Sequence, residues 1–206
     1  MEYLLSIAAG FLLGSFPTAF VLLKKIKGID ITQNGSANVG AFNSYVVTKS
    51  KMIGLAVLII DALKGLVTVL VIRNLIGTEF IFEMLGLIAA VLSHCFSFWI
   101  GFKGGRGLAV AAGGALILSI PVLSIWLILW LVAYVFRKNI HFANFAATLL
   151  TVGLSFSNAS IMNKYTTPPA ASNMEFSITV SMMLTIILIK HFKPIKEYFT
   201  TQNKKN

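Results

Sequence analysis

The sequence predicts an all-α integral membrane protein of seven transmembrane helices, with its active-site loops in the cytoplasm, its N-terminus outside and its C-terminus inside. Three observations carry the prediction. Of the 206 residues, 57% are hydrophobic and only 12% charged, whereas about a quarter of a soluble domain of this size is charged. Apolar runs recur along the chain between short polar or basic segments. Those segments place nearly all the cations on one side, as orientation in a bilayer requires. The formal net charge of +10 therefore reads as topology and not as a nucleic-acid footprint. The whole chain, 1–206, reads as a single membrane-embedded domain.

Tyr3–Leu23 is an uncharged run of 21 residues, close to the roughly 20 that a spanning helix needs. Met1-Glu2-Tyr3 lacks the basic region of a cleaved signal peptide, so this span is expected to stay as an anchor. Gly14, Ser15 and Pro17 predict a kink in it, tolerable where neighbouring helices cover the freed carbonyls. Lys24, Lys25 and Lys27 close the span. Gly28–Lys51 follows as a long polar loop, and loops of that length in compact proteins are usually functional or disordered. Its Asn34–Asn43 stretch is rich in small residues and side-chain amides that suit a polar ligand.

Met52 to Leu75 is the second span and carries Asp61 and Lys64. Spaced i,i+3, these two share a helix face and can pair, and ionisable groups at membrane depth face a polar interior. They are equally a self-neutralised structural pair or part of a site. Ile81–Ile100 is the third span, ending in His94, Cys95 and the interfacial aromatics Phe96, Phe98 and Trp99. Cys95 is the one cysteine, which excludes an intrachain disulfide. Leu108–Ile120 is a short Ala/Gly-rich span permitting close helix packing, broken by Pro121. Val122–Phe136, a basic turn at Arg137-Lys138, Phe142–Ser157, a polar loop over Asn158–Glu175 and a last span at Phe176–Ile189 complete the chain. A basic tail begins at Lys190.

Several of these spans are short, and charge decides the count. With seven, Lys24, Lys25, Lys27, Lys49, Lys51, Lys103, Arg106, Arg137, Lys138 and every cation from Lys190 onward share one side. Arg73 and Lys164 fall on the other, with Glu2, Glu79 and Glu175. The same count brings the Asn34–Asn43 loop, the 101–107 loop and the 190–197 segment to the cytoplasmic face.

Gly101-Phe102-Lys103-Gly104-Gly105-Arg106-Gly107 combines four glycines with two cations. Glycines let backbone N–H groups turn toward an anion while Lys103 and Arg106 supply charge. Alone, such a loop reads more readily as a basic cytoplasmic turn; the second polar loop on the same face favours a phosphate site.

Four stretches together resemble a known family. Gly35-Ser36-Ala37-Asn38-Val39-Gly40-Ala41-Phe42-Asn43 resembles the GSGNxGATN signature of the acyl-phosphate:glycerol-3-phosphate acyltransferases, the PlsY family of bacterial inner membranes. Asp61-Ala62-Leu63-Lys64-Gly65 is similar to its DxxKG. Ser93-His94-Cys95-Phe96-Ser97 followed by Gly101–Gly107 resembles its GHxFP…GFKGGKG block. The motifs stand in the family's order over nearly the whole chain. The resemblance implies a multi-pass protein of the bacterial cell membrane, moving an acyl group from acyl phosphate to the 1-hydroxyl of glycerol 3-phosphate to give lysophosphatidic acid. Its expected partners are those two substrates and membrane lipids, with no nucleic acid. No metal or cofactor is expected, and a monomer is the expected oligomeric state.

The resemblance also assigns roles. Ser36 and His191 are the catalytic candidates. Lys103, Arg106, Gly104, Gly105, Gly107, Asn38, Asn43 and Lys64 are the candidates for holding substrate phosphate, with Asn38 and Asn43 also shaping their loop. A Ser-His nucleophile reading of Ser36 and His191 is the weaker one, since no third carboxylate orients the pair. Departures accompany the match. The family's Arg ten residues after the serine is Val46, its Asn three after the C-terminal His is Pro194, and GGKG has become Gly104-Gly105-Arg106-Gly107. The GHxFP proline is Ser97, and the TRYxSLAS stretch reads Phe136–Asn144. Two alternatives to the enzyme are a paralogue, non-catalytic or with an altered acceptor, that binds lipid phosphates, and a small membrane transporter. The transporter lacks support, because Asp61 and Lys64 have no counterpart in the second half.

Overall fold

The computed structural model describes residues 1–203 and is helical throughout; Lys204 and Lys205, two of the tail cations, lie outside the described residues. The chain packs as two compact units, Met1–Leu118 and Ser119–Asn206. Five helical stretches are long and apolar enough to cross a membrane: Glu2–Lys27, Lys51–Leu75, Ile120–Arg137, Ile140–Ser157 and Asn173–Gln202. Phe80–Cys95 and Leu108–Leu118 are apolar but shorter.

In the first unit, the predicted kink is a full break between α1 (Glu2–Ser15) and α2 (Thr18–Lys27). Phe16 is extended, at φ −61° and ψ 121°, because the ring of Pro17 disfavours helical backbone before it. The carbonyls this frees are covered from the helix Lys51–Leu75 and from the turn that follows Phe80–Cys95. Lys64 Nζ donates to Phe16 O at 2.6 Å, and the hydroxyl of Ser97 donates to Ser15 O at 2.6 Å. The indole of Trp99 donates to the Ser15 hydroxyl at 3.2 Å. α2 ends at Gly28, whose φ of 67° is the left-handed cap that glycine adopts without strain.

The 28–51 segment is more ordered than its composition indicates. It holds a 3₁₀ turn at Ile31–Gln33 and a short helix, α3 (Ala41–Thr48). α4 (Lys51–Leu75) starts one residue earlier than predicted, capped by the Ser50 hydroxyl on the Ile53 amide. α5 (Phe80–Cys95) stops short of the predicted Ile100, since Phe98–Ile100 is a separate 3₁₀ turn. α1 and α5 run parallel: Tyr3 meets Phe82, and Gly10 lies so close to Gly86 that a Cβ at residue 10 would overlap the Gly86 carbonyl. α4 runs antiparallel to α5, with Arg73 forking onto Glu83 (2.8 and 2.7 Å) at one end and Asp61 facing His94 at the other. α6 (Leu108–Leu118) crosses α4 at small residues.

In the second unit, α7 (Ile120–Arg137) begins at the predicted breaker. Pro121 sits in its first turn, where the missing amide has no helical partner to lose; it starts this helix and does not merely end the previous one. α8 (Ile140–Ser157) is capped by Asn139 and runs antiparallel to α7, with Trp126 on Thr148 and Trp130 on Asn144. The polar stretch after it contains a short helix, α9 (Ala159–Lys164). α10 (Asn173–Asn203) is far longer than the predicted 176–189 span, and the basic tail as far as Asn203 is its last part. It continues through Pro194, whose ring removes one amide from the ladder. α10 runs antiparallel to α8, joined by Ser177 to Ser155 O at 2.5 Å.

Candidate active site

Ser36 sits at an exposed turn between two left-handed residues, Gly35 (φ 61°) and Ala37 (φ 56°). The turn is held by one buried side chain, Asn43. Its Oδ1 accepts from the Ser36 amide at 3.0 Å, and its Nδ2 donates to Asn34 O and to Asn38 O, both at 3.0 Å. Both amide protons are thus committed inside the loop. That corrects the expectation of Asn43 as a phosphate ligand: it builds the turn that presents Ser36 and has no donor left for a substrate.

The glycine loop is bound to the end of α5 by backbone. Ser97 N donates to Lys103 O at 3.0 Å, Phe102 N to Ser97 O at 2.9 Å, and Gly105 N to His94 O at 3.1 Å. A Cβ at Gly104 would overlap the carbonyls of His94 and Cys95, and one at Gly105 would overlap the His94 ring at Nε2. Glycine is needed at both places because the loop lies directly on His94. Gly107, at φ 85°, turns the chain into α6, and its carbonyl accepts the Ala111 amide at 2.9 Å. Lys103 is exposed and Arg106 half-buried. Loop amides and two cations therefore stand together at the start of a helix, where anions are favoured.

The two loops meet. The amide of the buried Val39, three residues after Ser36, donates to Gly104 O at 3.2 Å. Asp30 adds a second link: its carboxyl is held below the ordinary range chiefly by the Thr32 hydroxyl, and also by the Thr32 amide and by attraction to Lys24 and Lys103. Ser36, Asn38, Lys103, Gly104, Gly105, Arg106 and Gly107 thus belong to one stitched pair of loops. Val46, where the family has Arg, lies exposed on α3 beside Val47, whose side chain packs on Gly35.

Asp61 and Lys64 lie beneath. Lys64 Nζ donates to Asp61 Oδ1 at 2.7 Å and to Phe16 O at 2.6 Å, with both side chains buried. Two of the three ammonium protons therefore serve the fold. Asp61 Oδ1 is also 3.9 Å from His94 Nδ1. Asp61 thus stands between the ammonium that closes the α1–α2 break and the imidazole under the glycine loop. His94 has no role in the sequence reading beyond its motif. The available signal was a histidine at the end of an apolar helix, four residues before the aromatic Phe98 and with no partner apparent in sequence.

His191 belongs to the second unit. It is 1% exposed. Its Nδ1 lies 2.8 Å from Ile187 O and its Nε2 3.4 Å from Asn144 Nδ2. Pro194, one turn further along α10, offers no side-chain donor.

The sequence matches the family model described as "Glycerol-3-phosphate acyltransferase" over residues 4–201. A glycerol-3-phosphate acyltransferase of Fusobacterium nucleatum is 40% identical over 154 residues, covering 73% of this chain and 76% of that protein. Glycerol-3-phosphate acyltransferase 2 of Moorella thermoacetica is 37% identical over 146 residues, covering 70% and 73%. Among solved structures, the glycerol 3-phosphate form of PlsY, an integral membrane glycerol 3-phosphate acyltransferase, superposes with a TM-score of 0.79 at 26% identity. It covers 98% of this chain and 94% of that one. The lysophosphatidic acid form gives 0.77 at 25% identity, covering 98% and 93%.

Proposed function

The chain belongs to the glycerol-3-phosphate acyltransferase family, and from that membership we propose that it transfers an acyl group from acyl phosphate to the 1-hydroxyl of glycerol 3-phosphate, releasing phosphate and lysophosphatidic acid. The observation that carries the proposal is the Val39–Gly104 hydrogen bond, 3.2 Å long, which puts the serine turn and the cationic glycine loop side by side. Acyl phosphate is already an activated mixed anhydride. The protein has to hold two anions and stabilise one oxyanion, which positioned donors accomplish without a covalent intermediate. In this reading Lys103, Arg106 and the amides of Gly104 and Gly107 receive phosphate, Gly105 seats their loop on His94, Ser36 faces the acyl carbonyl or its phosphate, and Asn38 shapes the turn between them. Lys64 acts through Asp61 and the α1–α2 break.

The same reading places the chain in a bacterial cell membrane with seven spans, the two loops cytoplasmic and the N-terminus outside. Support comes from the helix directions within each unit. α1 and α5 are parallel to each other and antiparallel to α4, as first, third and second spans must be. α7, α8 and α10 alternate in the same way. Single cysteines at the exposed Lys103 and at Lys164, in a Cys95→Ser background, test it: an impermeant reagent should label Lys164→Cys alone from outside. Labelling of both from one side sinks the seven-span arrangement.

The activity is tested with purified protein, palmitoyl phosphate and glycerol 3-phosphate. Phosphate release should require the acceptor and match lysophosphatidic acid formed. Ser36→Ala should lower the rate by about 10²–10³, the usual loss for one aimed donor in a sheltered site. Phosphate release without acceptor, or wild-type turnover in Ser36→Ala, overturns the assignment.

A further inference from the structure

Ser97, only 1% exposed, hydrogen-bonds through its amide, its carbonyl and its hydroxyl. The carbonyl accepts the Ile100 amide at 3.3 Å and the Phe102 amide at 2.9 Å, while the Ser97 amide donates to Lys103 O at 3.0 Å. Those bonds close the chain on itself between residues 97 and 103. Gly101 (φ 66°) and Phe102 (φ 60°) turn the corner as successive left-handed residues. Glycine adopts that backbone freely and phenylalanine does not, so the corner is held against the preference of Phe102. The backbone of Ser97 holds it. The hydroxyl makes the remaining bond, to Ser15 O at 2.6 Å, where α1 breaks off before α2.

α1 supports the next two residues as well. Phe98 stacks on Phe11, with ring centroids 5.9 Å apart and planes 6° from parallel. Trp99 donates to the Ser15 hydroxyl at 3.2 Å, and that hydroxyl donates to Leu12 O at 2.8 Å. The segment entering the glycine loop is thus fastened to α1 at each of residues 97, 98 and 99. Beyond Lys103, the carbonyl of Gly104 is held by the Val39 amide. Gripping the backbone on both sides of Lys103 fixes the direction in which its side chain leaves the loop. The link from α1 to that cation runs through one buried serine.

We infer that Ser97 is a positioning residue for phosphate binding: its hydroxyl anchors the loop to α1, and its amide sets Lys103 in place. The inference rests on the proposed function, which gives Lys103 a substrate phosphate to hold. A proline at this position, as in the family signature, has neither an amide proton nor a hydroxyl. The resemblance therefore supplies no such role for residue 97. A cation already in place gives up less freedom when its ligand arrives, so the anchor acts on binding and not on turnover.

The test is a double-mutant cycle on the full-length protein in detergent. KM for palmitoyl phosphate and for glycerol 3-phosphate is taken from initial rates, and Kd for each from equilibrium binding. Lys103→Met should raise both constants of one substrate by about tenfold or more, as losing a hydrogen bond to a charged group does. Ser97→Ala should raise the constants of that same substrate by about three- to tenfold, the range of one neutral hydrogen bond. The other substrate's constants and kcat should stay near wild type. In the Lys103→Met background, Ser97→Ala should lose most of its effect, because the two residues act through one contact. Ser97→Cys, which fills the place of the hydroxyl with a weak donor, should act in the same direction and serves if the alanine variant does not fold. Wild-type constants for both substrates in these Ser97 variants, even with a lower Tm, overturn the inference. So does an equal effect in both backgrounds, or an effect on the substrate that Lys103→Met leaves alone. Lys103→Met without effect on either substrate removes the role of Lys103 and the inference with it. If wild type transfers no acyl group, the proposed activity falls on that result, and the cycle in Kd still decides the role of Ser97.

Discussion

The amide of Val39 donates to the carbonyl of Gly104 across 3.2 Å, so two loops separated by more than sixty residues share one hydrogen bond. Neither loop is positioned by its own helix alone. The serine turn is braced from below by Asn43 and from the side by the glycine loop. The glycine loop rests on the His94 ring and on the carbonyls at the end of α5. Disturbing either loop is therefore expected to appear in the other.

Asn43→Ala tests the first brace. It removes the acceptor for the Ser36 amide and the donors to Asn34 O and Asn38 O, each worth about 0.5–1.5 kcal/mol net. The loop should lose its turn while the helices keep theirs. Transfer should fall to the level of Ser36→Ala, with helix content unchanged and Tm lowered by several degrees. Retention of most activity would show that Ser36 is positioned by something else.

The buried ion pair makes a different kind of prediction. Removing one partner of such a pair costs roughly 3–5 kcal/mol, because the other charge is left uncompensated, while removing both is far milder. Lys64→Met should thus lower thermal stability in detergent sharply, leaving Asp61 with only His94, 3.9 Å away, and Phe16 O with only the Thr18 amide. Adding Asp61→Asn should restore much of the loss. If the two changes are simply additive in Tm, the pair does not act as a unit.

Asp30 gives a prediction with a sign. Its carboxyl accepts from the Thr32 amide at 2.9 Å and the Thr32 hydroxyl at 2.7 Å, and these bonds favour the charged form. Its pKa is lowered from 3.8. A carboxylate depressed on folding contributes stability above its unfolded value and loses it as pH falls through the folded one. The 30–34 turn should therefore be intact at neutral pH and loosen only below the ordinary carboxylate range. The Thr32 amide resonance should titrate with a midpoint under 3.8 and stop titrating in Asp30→Asn. A midpoint at or above the ordinary value would remove Thr32 as the cause.

Much of this arrangement was legible in the sequence, and the parts that were not have physical reasons. Hydropathy located every long helix, and the i,i+3 spacing of Asp61 and Lys64 anticipated their contact, because both are local properties. The covering of freed carbonyls near Pro17 was foreseeable as a requirement. That Lys64 and Ser97 meet it was not, since those contacts span 48 and 82 residues. Helix ends were misjudged where polar residues continue a helix beyond the apolar stretch, as in α10 past Ile189, or where small helices hide in polar segments, as in α3 and α9. Among the candidate residues, Asn43 looked like a ligand because an amide in a glycine-rich turn can face either way. Only its three bonds show that it faces inward. His94 was visible as a motif residue, yet the need for glycine at 105 under its ring is a matter of tertiary packing.

Val46 is where this chain leaves its family most visibly, and it supports the last prediction. The residue is exposed on α3, next to Val47, which packs on Gly35 of the serine turn. An arginine there would stand beside the proposed phosphate site. A hydrogen bond to a charged group is worth roughly 1.5–3 kcal/mol, and about 1.4 kcal/mol is tenfold in affinity. Restoring the guanidinium by Val46→Arg should therefore lower the KM for glycerol 3-phosphate by about tenfold or more and leave the KM for palmitoyl phosphate nearly unchanged. Initial rates over both substrates, for wild type and variant, separate the two constants. Lys49 is the competing candidate: it is exposed at the end of the same helix in a left-handed conformation at φ 56°, so its side chain leaves the helix direction and is free to supply a cation from the turn. If Val46→Arg raises the acceptor KM and Lys49→Ala raises it further in the wild-type background, the lysine already fills the role and the arginine only crowds it.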